Sequence, residues 1–310
     1  SADEITAVNC SLAEQLVAAA AAAPAPPRLV LASSTRRSRD DAYGASKRAA
    51  EASFQEWASA DSRRSATAVV ITNVFGPGCR PFYNSVVATF CHQLAQGETP
   101  TVATNAKLEL AWVGDVASHL HAAALDERHG WRLVDGPGGS EITVAGLLET
   151  LQEFLRIERE EGLVPDISDP FQARLYATLQ SYLPLERHCR TTTVHADDRG
   201  RLFEVLRLAN GGQVFFSTTR PGVTRGNHFH TRKVEWFCVV KGEASIRLRR
   251  VGEDEVSEFR VSGDNPQFVS IPALYAHQIT NVGEEDLLTM FWCNEIYDPH
   301  DADTFAEKVA

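Results

Sequence analysis

Residues 222–242 read GVTRGNHFHTRKVEWFCVVKG. In an extended chain alternate side chains share a face, so His228 and His230 point the same way. Glu235 follows at the head of an otherwise apolar run, WFCVV. Two imidazoles and a carboxylate on one wall supply three ligands for a divalent metal ion. A fourth is expected from a distant strand, and His277 in IPALYAHQITN (residues 271–281) is the best placed. Mixed imidazole and carboxylate donors suit Zn(II), Fe(II), Mn(II) or Ni(II), and the sequence does not choose among them. The competing reading is a set of hydrogen-bonded histidines inside a β-barrel that holds no metal.

The rest of the chain sets the bounds. Its 310 residues are enough for two domains at about 100–200 residues each. A net charge of −11 argues against wrapping nucleic acid or an anionic membrane. The six cysteines are scattered and form no CxxC pair, which predicts free thiols and a cytoplasmic protein. No stretch of 18 apolar residues predicts a membrane span. The opening residues lack a Met and already follow a helical pattern, as in a fragment or a processed chain.

Two regimes of periodicity follow one another. Residues 1–186 alternate helical segments with short apolar runs, PRLVLASS and TAVVITNVFG among them, which read as buried strands of a parallel α/β sheet. A helical connector, residues 157–188, closes this part. Residues 187–310 are short β-rich runs with turn residues every 8–12 positions, an all-β barrel or sandwich.

The first regime has a chemical constellation of its own. LVLASSTRRSRDDAYGASK (residues 29–47) puts serines at a strand end, then Tyr43 and Lys47 on the first turns of a long helix. Residues four apart stack on one helix face. A lysine ammonium stabilises a neighbouring phenolate, so Tyr43 is placed to give a proton to a carbonyl oxygen. Ser34 is the serine expected to hold the same oxygen, with Ser33 as the alternative register. An amphipathic helix with a surface lysine is the bland reading of the pair.

These motifs carry resemblances. The spacing Gly222, His228, His230, Glu235, Gly242, followed by Pro272, His277 and Asn281, resembles the two cupin motifs, with Leu274 where a glycine is usual. The serine, Tyr43 and Lys47 resemble the extended short-chain dehydrogenase/reductases. That resemblance assigns Asn9 to the support of the lysine, and Asn73, in TNVFGPG (residues 72–78), to the segment touching nicotinamide and substrate. Members of that family open with a strand and a glycine-rich pyrophosphate loop. None precedes Asn9, so roughly 70–90 residues of the nucleotide-binding half are expected to be missing and reduction to be impaired.

Together, RPFYNSVVATFCHQLAQGE, SYLP, TTTVHADDRGRLFEVLR, the opening stretch and WCNEIYDP resemble the bifunctional capsular-sugar enzymes of the CapF (WbjC) family. The resemblance implies an extended reductase domain (1–186) followed by a metal-binding cupin (187–310). It implies a UDP-linked 4-keto-2-acetamido-2,6-dideoxy-L-hexose as substrate. The cupin then epimerises C3 and the reductase reduces C4 with NADPH, giving UDP-2-acetamido-2,6-dideoxy-L-talose for surface polysaccharide. Zinc on His228, His230, Glu235 and His277, and a homodimer, come with the resemblance. Epimerisation needs an acid and a base on opposite faces. Lys233, two residues before Glu235, and Tyr275, two before His277, are the candidates. Arg220 and Arg225 are weaker candidates for the diphosphate. The alternatives are a non-catalytic sugar-nucleotide-binding or dimerisation module and a metal-dependent cupin oxygenase.

Overall fold

The structure is a computed structural model and describes residues 2–189 and 191–309. The chain divides into two compact units: Ser1–Gln152 with Ser168–Pro184, and Glu153–Ile167 with Leu185–Ala310. Among the described residues no helix is long and apolar enough to cross a membrane.

The first unit runs α1 (Ala2–Ala21), β1 (Arg28–Ser34), α2 (Ala42–Ser59), β2 (Ser65–Ile71), β3 (Asn73–Phe75), α3 (Val86–Ala95), β4 (Lys107–Trp112), α4 (Val113–Leu125), β5 (Gly130–Asp135) and β6 (Ser140–Thr143). Helix α5 (Val144–Arg156) then leads out of it, and α6 (Pro170–Gln180) returns. Strands β1, β2 and β5 form a parallel sheet in that order, as βαβ alternation requires. Central β2 buries every residue but Val70. In β1 only Leu29 and Ser33 are buried, because β1 has a sheet neighbour on one side alone among the described residues. The run read as one strand, TAVVITNVF, is two. The chain leaves the first sheet at Thr72, and β3 joins β4 and β6 in a second sheet. Thr72 Oγ1 and Asn73 Nδ2 both donate to the Glu109 carbonyl, at 3.0 and 3.3 Å, and fix the switch. Helix α3 begins only at Val86, because Phe82 and Asn84 hold left-handed backbone (φ +58° and +54°) and Ser85 caps the first turn.

The second unit carries β7 (Val194–Asp197), β8 (Gly200–Arg207), β9 (Gln213–Thr219), β10 (Thr224–Phe229), β11 (Glu235–Lys241), β12 (Glu243–Arg250), β13 (Val256–Ser262), β14 (Phe268–Ile271), β15 (Tyr275–Asn281), β16 (Leu287–Cys293) and β17 (Phe305–Ala306). One sheet has the order β14-β11-β16-β9-β8-β7 and the other β13-β12-β15-β10-β17. Of the eight strands β9 to β16, β9, β11, β14 and β16 lie in one antiparallel sheet and β10, β12, β13 and β15 in the other, the jelly-roll arrangement of a cupin barrel. Alternation along β11 sends Glu235, Phe237 and Val239 inward and Trp236 outward. Phe237, Ile246, Ile271, Ile279 and Leu287 fill the space between the sheets, each burial contributing about 1.5–3 kcal/mol. Val164 pairs beside Leu208, donating to Arg207 O (2.8 Å) and accepting from Ala209 N (2.8 Å). Residues 153–167 thus cluster with the barrel, so the connector is shared between the units.

Candidate functional site

Glu235 is a buried carboxylate among the apolar side chains of β11, and three imidazoles converge on it. Strand β10 pairs with β15 as Thr224↔Thr280, Arg225↔Ile279 and Gly226↔Gln278, then jumps to His228↔His277. The extra residue is Asn227, at φ +62°. This β-bulge moves the inward-facing position from residue 227 to His228 and seats it opposite His277. His230 lies two residues on, one past the strand end. Glu235 comes from the other sheet, as the first residue of β11 between Ile271 and Cys293. One ligand atom from each of the four lies within 4.8 Å of the others.

The donor set fits a divalent metal. His230 Nε2 and His277 Nε2 stand 3.4 and 3.3 Å from Glu235 Oε2, yet both are buried nitrogens without a hydrogen-bond partner. Their other ring nitrogens are engaged: His230 Nδ1 contacts the Asp303 carbonyl at 2.6 Å and His277 Nδ1 the Tyr275 carbonyl at 3.2 Å. A carbonyl accepts only, so each Nδ1 carries a proton and Nε2 is the nitrogen that faces the centre. Burial works to lower the His230 pKa, but Glu235 outweighs it and raises that pKa in the metal-free site; in the neutral ring Nε2 offers its lone pair to a metal. Burial, then the neighbouring His277 and His230, lower the His228 pKa to about 4, which keeps this ring neutral at pH 7. Burial works to raise the Glu235 carboxyl, but His230 and His277 outweigh it and bring it down to about 2. Three neutral-capable imidazoles around one carboxylate at ligand spacing is the chemistry of a tetrahedral or expanded Zn(II)-type site.

The remaining barrel candidates are placed differently from one another. Leu274 does keep the turn that glycine usually makes: its φ is +63°. A non-glycine residue pays about 1–2 kcal/mol there. Hydrogen bonds from its N–H to His230 O (2.7 Å) and to its carbonyl from Val251 N (2.9 Å) hold it. Lys233 lies after the bend at Thr231 and Arg232 and outside β11, so strand alternation does not govern it. Its buried ammonium donates to the Ala302 carbonyl at 2.6 Å and lies 5.6 Å from the Tyr297 ring centre. Tyr275 opens β15, half-buried against the core. Arg225 is turned onto Thr219 Oγ1 and Thr218 O, both at 3.1 Å, whereas Arg220 is exposed.

In the first unit the structure brings Tyr43 and Lys47 together. Lys47 Nζ lies 5.5 Å from the Tyr43 ring centre and donates to Ala32 O at 3.1 Å, which ties the helix to the end of β1. Arg36, which the sequence reading did not single out, stands 5.0 Å from the same ring. Asn9 Nδ2 donates to Ser46 Oγ (3.2 Å), one residue from Lys47. Ser34 Oγ accepts from Arg36 N at 3.2 Å and caps a short 3-10 turn. Ser33 is buried and donates to Glu51, which also takes a bidentate pair from Arg37. Burial opposes ionisation of Glu51, but Arg37 and Ser33 prevail and lower its pKa. Asn73 is exposed at the sheet switch.

Comparison with known proteins fits both units. The model of the NAD dependent epimerase/dehydratase family matches residues 1–132, and that of the polysaccharide biosynthesis C-terminal domain matches residues 195–305. The UDP-2-acetamido-2,6-beta-L-arabino-hexul-4-ose reductase of Pseudomonas aeruginosa is 33% identical over 309 residues, 99% of this chain and 82% of that protein. The chain belongs to this reductase family. A crystal structure of the capsular polysaccharide assembling protein CapF from Staphylococcus aureus superposes with a TM-score of 0.85 at 32% identity, covering 96% of this chain and 82% of that one. The spore coat polysaccharide biosynthesis protein SpsL of Bacillus subtilis is 29% identical over 119 residues, 35% of this chain and 79% of that protein. Members of the reductase family thus pair an epimerase-type α/β unit with the all-β unit seen here.

The sequence reading missed the bulge and Asp303. Gly226-Asn227 inside a strand pattern was the available signal for the first. Asp303 stands 73 residues from His230 and gave no local signal.

Proposed function

We propose that the barrel exchanges the C3 proton of a UDP-linked 4-keto-2-acetamido-2,6-dideoxy-L-hexose, and that the Tyr43–Lys47 pair serves C4 reduction of the epimer. The supporting observation is the four-ligand cluster with two unpartnered Nε2 atoms. His228, His230, Glu235 and His277 would hold the ion, zinc or another divalent transition metal. When bound, it supplies positive charge that stabilises an enolate. The C3–H bond breaks and its electron pair moves toward the C4 carbonyl. Reprotonation from the other face returns the ketone, so no electrons are gained or lost. Phe237, its ring 5.6 Å from His277 and 4.6 Å from Phe291, keeps the floor of the site apolar. Low polarity there strengthens every charge interaction with the enolate. Lys233 and Tyr275 remain our candidates for the acid and base.

Reduction at C4 would place a proton from Tyr43 on the ketone oxygen, with Lys47 holding the phenol's charge and Ser34 the oxygen. NADPH is the hydride source this family reading implies, with Asn9 and Asn73 beside it. Tyr43 and Lys47, with the ammonium 5.5 Å from the ring centre, are the residues here that fit the chemistry of that cofactor. The test is incubation of the 4-keto sugar in D2O with Zn(II). Deuterium is expected at C3, and its appearance is expected to stop when a chelator strips the metal. Absence of C3 label in metal-loaded protein sinks the epimerase reading, and oxygen uptake with Fe(II) would replace it with an oxygenase.

The homodimer belongs to the same proposal. Trp236 and Phe268 are 45% and 60% exposed on the outer face of the six-stranded sheet. Their rings lie 5.9 Å apart, and Trp292 stands 6.0 Å from Trp236. Contiguous exposed aromatics of this kind mark an interface. Sedimentation velocity is expected to show a dimer that Trp236→Arg converts to a monomer; a monomeric wild type at tens of micromolar refutes it.

A further inference from the structure

The last residues of the chain return to the metal-ligand strand and grip it at several points. We propose that residues 301–309 are a strap that fixes the turn between His230 and Glu235, with Asp303 as its positioning residue; the consequence for metal binding rests on the metal-centre reading above. That turn is where the ligand set crosses from one sheet to the other. Its shape therefore sets how far His230 stands from Glu235.

Asp303 holds the turn from both ends of its own residue. Its Oδ1 accepts from Thr231 N (3.0 Å) and Thr231 Oγ1 (2.5 Å), and its Oδ2 from Arg232 N and Lys233 N (both 3.0 Å). Three successive backbone N–H groups thus converge on one carboxylate, the nest geometry that elsewhere receives a free anion. Its backbone carbonyl meets His230 Nδ1 at 2.6 Å and so decides which nitrogen of that ring faces Glu235. Asp303 is 6% exposed, and its φ of +41° lies in the left-handed region that aspartate tolerates better than most residues.

The strap reaches the other ligand strand as well. Strand β17 pairs with β10 at His228↔Ala306 and Phe229↔Phe305, and the two phenyl rings stack at 5.3 Å. Bulge residue Asn227 accepts from Glu307 N on its carbonyl (2.9 Å) and from Val309 N on Oδ1 (3.3 Å). Arg249 of β12 anchors the end: it donates to Val309 O (3.0 Å), Lys308 O (2.7 Å) and the Glu307 carboxylate (2.6 Å). Ala302 O takes the Lys233 ammonium. Every one of these contacts lies within the second unit.

The test uses the whole chain with Asp303 replaced by Ala, Gly or Asn. Glycine keeps the backbone conformation and removes the carboxylate, whereas asparagine keeps one accepting oxygen and tolerates positive φ. Zn(II) affinity is read by competition with a chromophoric chelator, and amide exchange at residues 231–233 is read without metal. Ala and Gly are expected to weaken Zn(II) by about 10–100-fold, the usual cost of losing a partner of a metal ligand, with Asn in between. Exchange at 231–233 is expected to speed up in the same order. An Asp303→Ala protein that matches wild type in both overturns the strap. If wild type itself takes up no Zn(II), the metal-centre reading falls, and the strap stands or falls on exchange at 231–233.

Discussion

Replacing His277 with alanine is expected to lower Zn(II) affinity by more than about 100-fold, beyond what loss of an outer partner costs, and to abolish C3 labelling. Two effects add. The first is loss of a ligand from a set of four whose atoms already lie within 4.8 Å of one another. The second is electrostatic. Glu235 is buried, and His230 and His277 hold its carboxyl down against burial. Without the imidazole at 3.3 Å, Glu235 keeps one close partner, His230 at 3.4 Å. Leaving a buried polar group short of a partner typically costs about 1–3 kcal/mol, so metal-free protein is expected to melt earlier as well. Chelator competition and thermal melting with and without Zn(II) separate the two effects. Wild-type affinity in His277→Ala removes His277 from the ligand set, whatever the labelling shows.

Gly226→Ala is the second large effect, and it needs no ligand to change. Gly226 has φ +95°, and a Cβ there would lie 2.6 Å from the His277 carbonyl oxygen and 3.0 Å from Gln278 Cα. Both obstacles are backbone of the paired strand, so no side chain can swing away. Left-handed strain of about 1–2 kcal/mol and overpacking of about 1–3 kcal/mol put the cost near 2–5 kcal/mol. The push falls between β10 and β15, where His228 and His277 face one another. Urea unfolding is therefore expected to shift to lower midpoint, and Zn(II) affinity to fall with it. Glycine at 97, where a Cβ meets nothing within 4 Å, is the control: Gly97→Ala also has positive φ (+78°) and should cost only the strain part. Equal losses at the two positions would mean that the close approach of the strands contributes nothing.

The two substitutions mark how far the sequence could be read. His228 and His230 announce themselves by their spacing, and Glu235 by its place before an apolar run. The reason is local: alternation along a strand assigns faces without knowledge of the partner. His277 was legible as a fourth ligand because few other histidines stand in a strand pattern, but its direct pairing with His228 was not. Pairing depends on register, and here the register is shifted by one extra residue, Asn227. The same limit hid the split of TAVVITNVF between two sheets, since a run of apolar residues does not say which neighbour each half will find.

In the first unit the YxxxK spacing predicted that Tyr43 and Lys47 would share a helix face, and helix geometry alone guarantees it. The sequence could not say where the serines would turn. Ser33 goes to Glu51 and Ser34 to its own 3-10 turn, choices made by Arg37 and Arg36 from the following loop. Lys233 shows the converse failure: a face was assigned to it on the assumption of an extended segment, and the carboxylate of Asp303 bends that segment instead. By itself, then, the sequence determined an α/β unit followed by an all-β barrel or sandwich, the Tyr43–Lys47 pair and the four histidine and glutamate candidates, because periodicity and spacing are properties of neighbours along the chain. Only the tertiary structure decided how the four converge. The bulge at Asn227, the left-handed turn at Leu274 and the grip of Asp303 join residues up to 82 positions apart, and hydrogen bonds across such distances leave no period in the sequence to read.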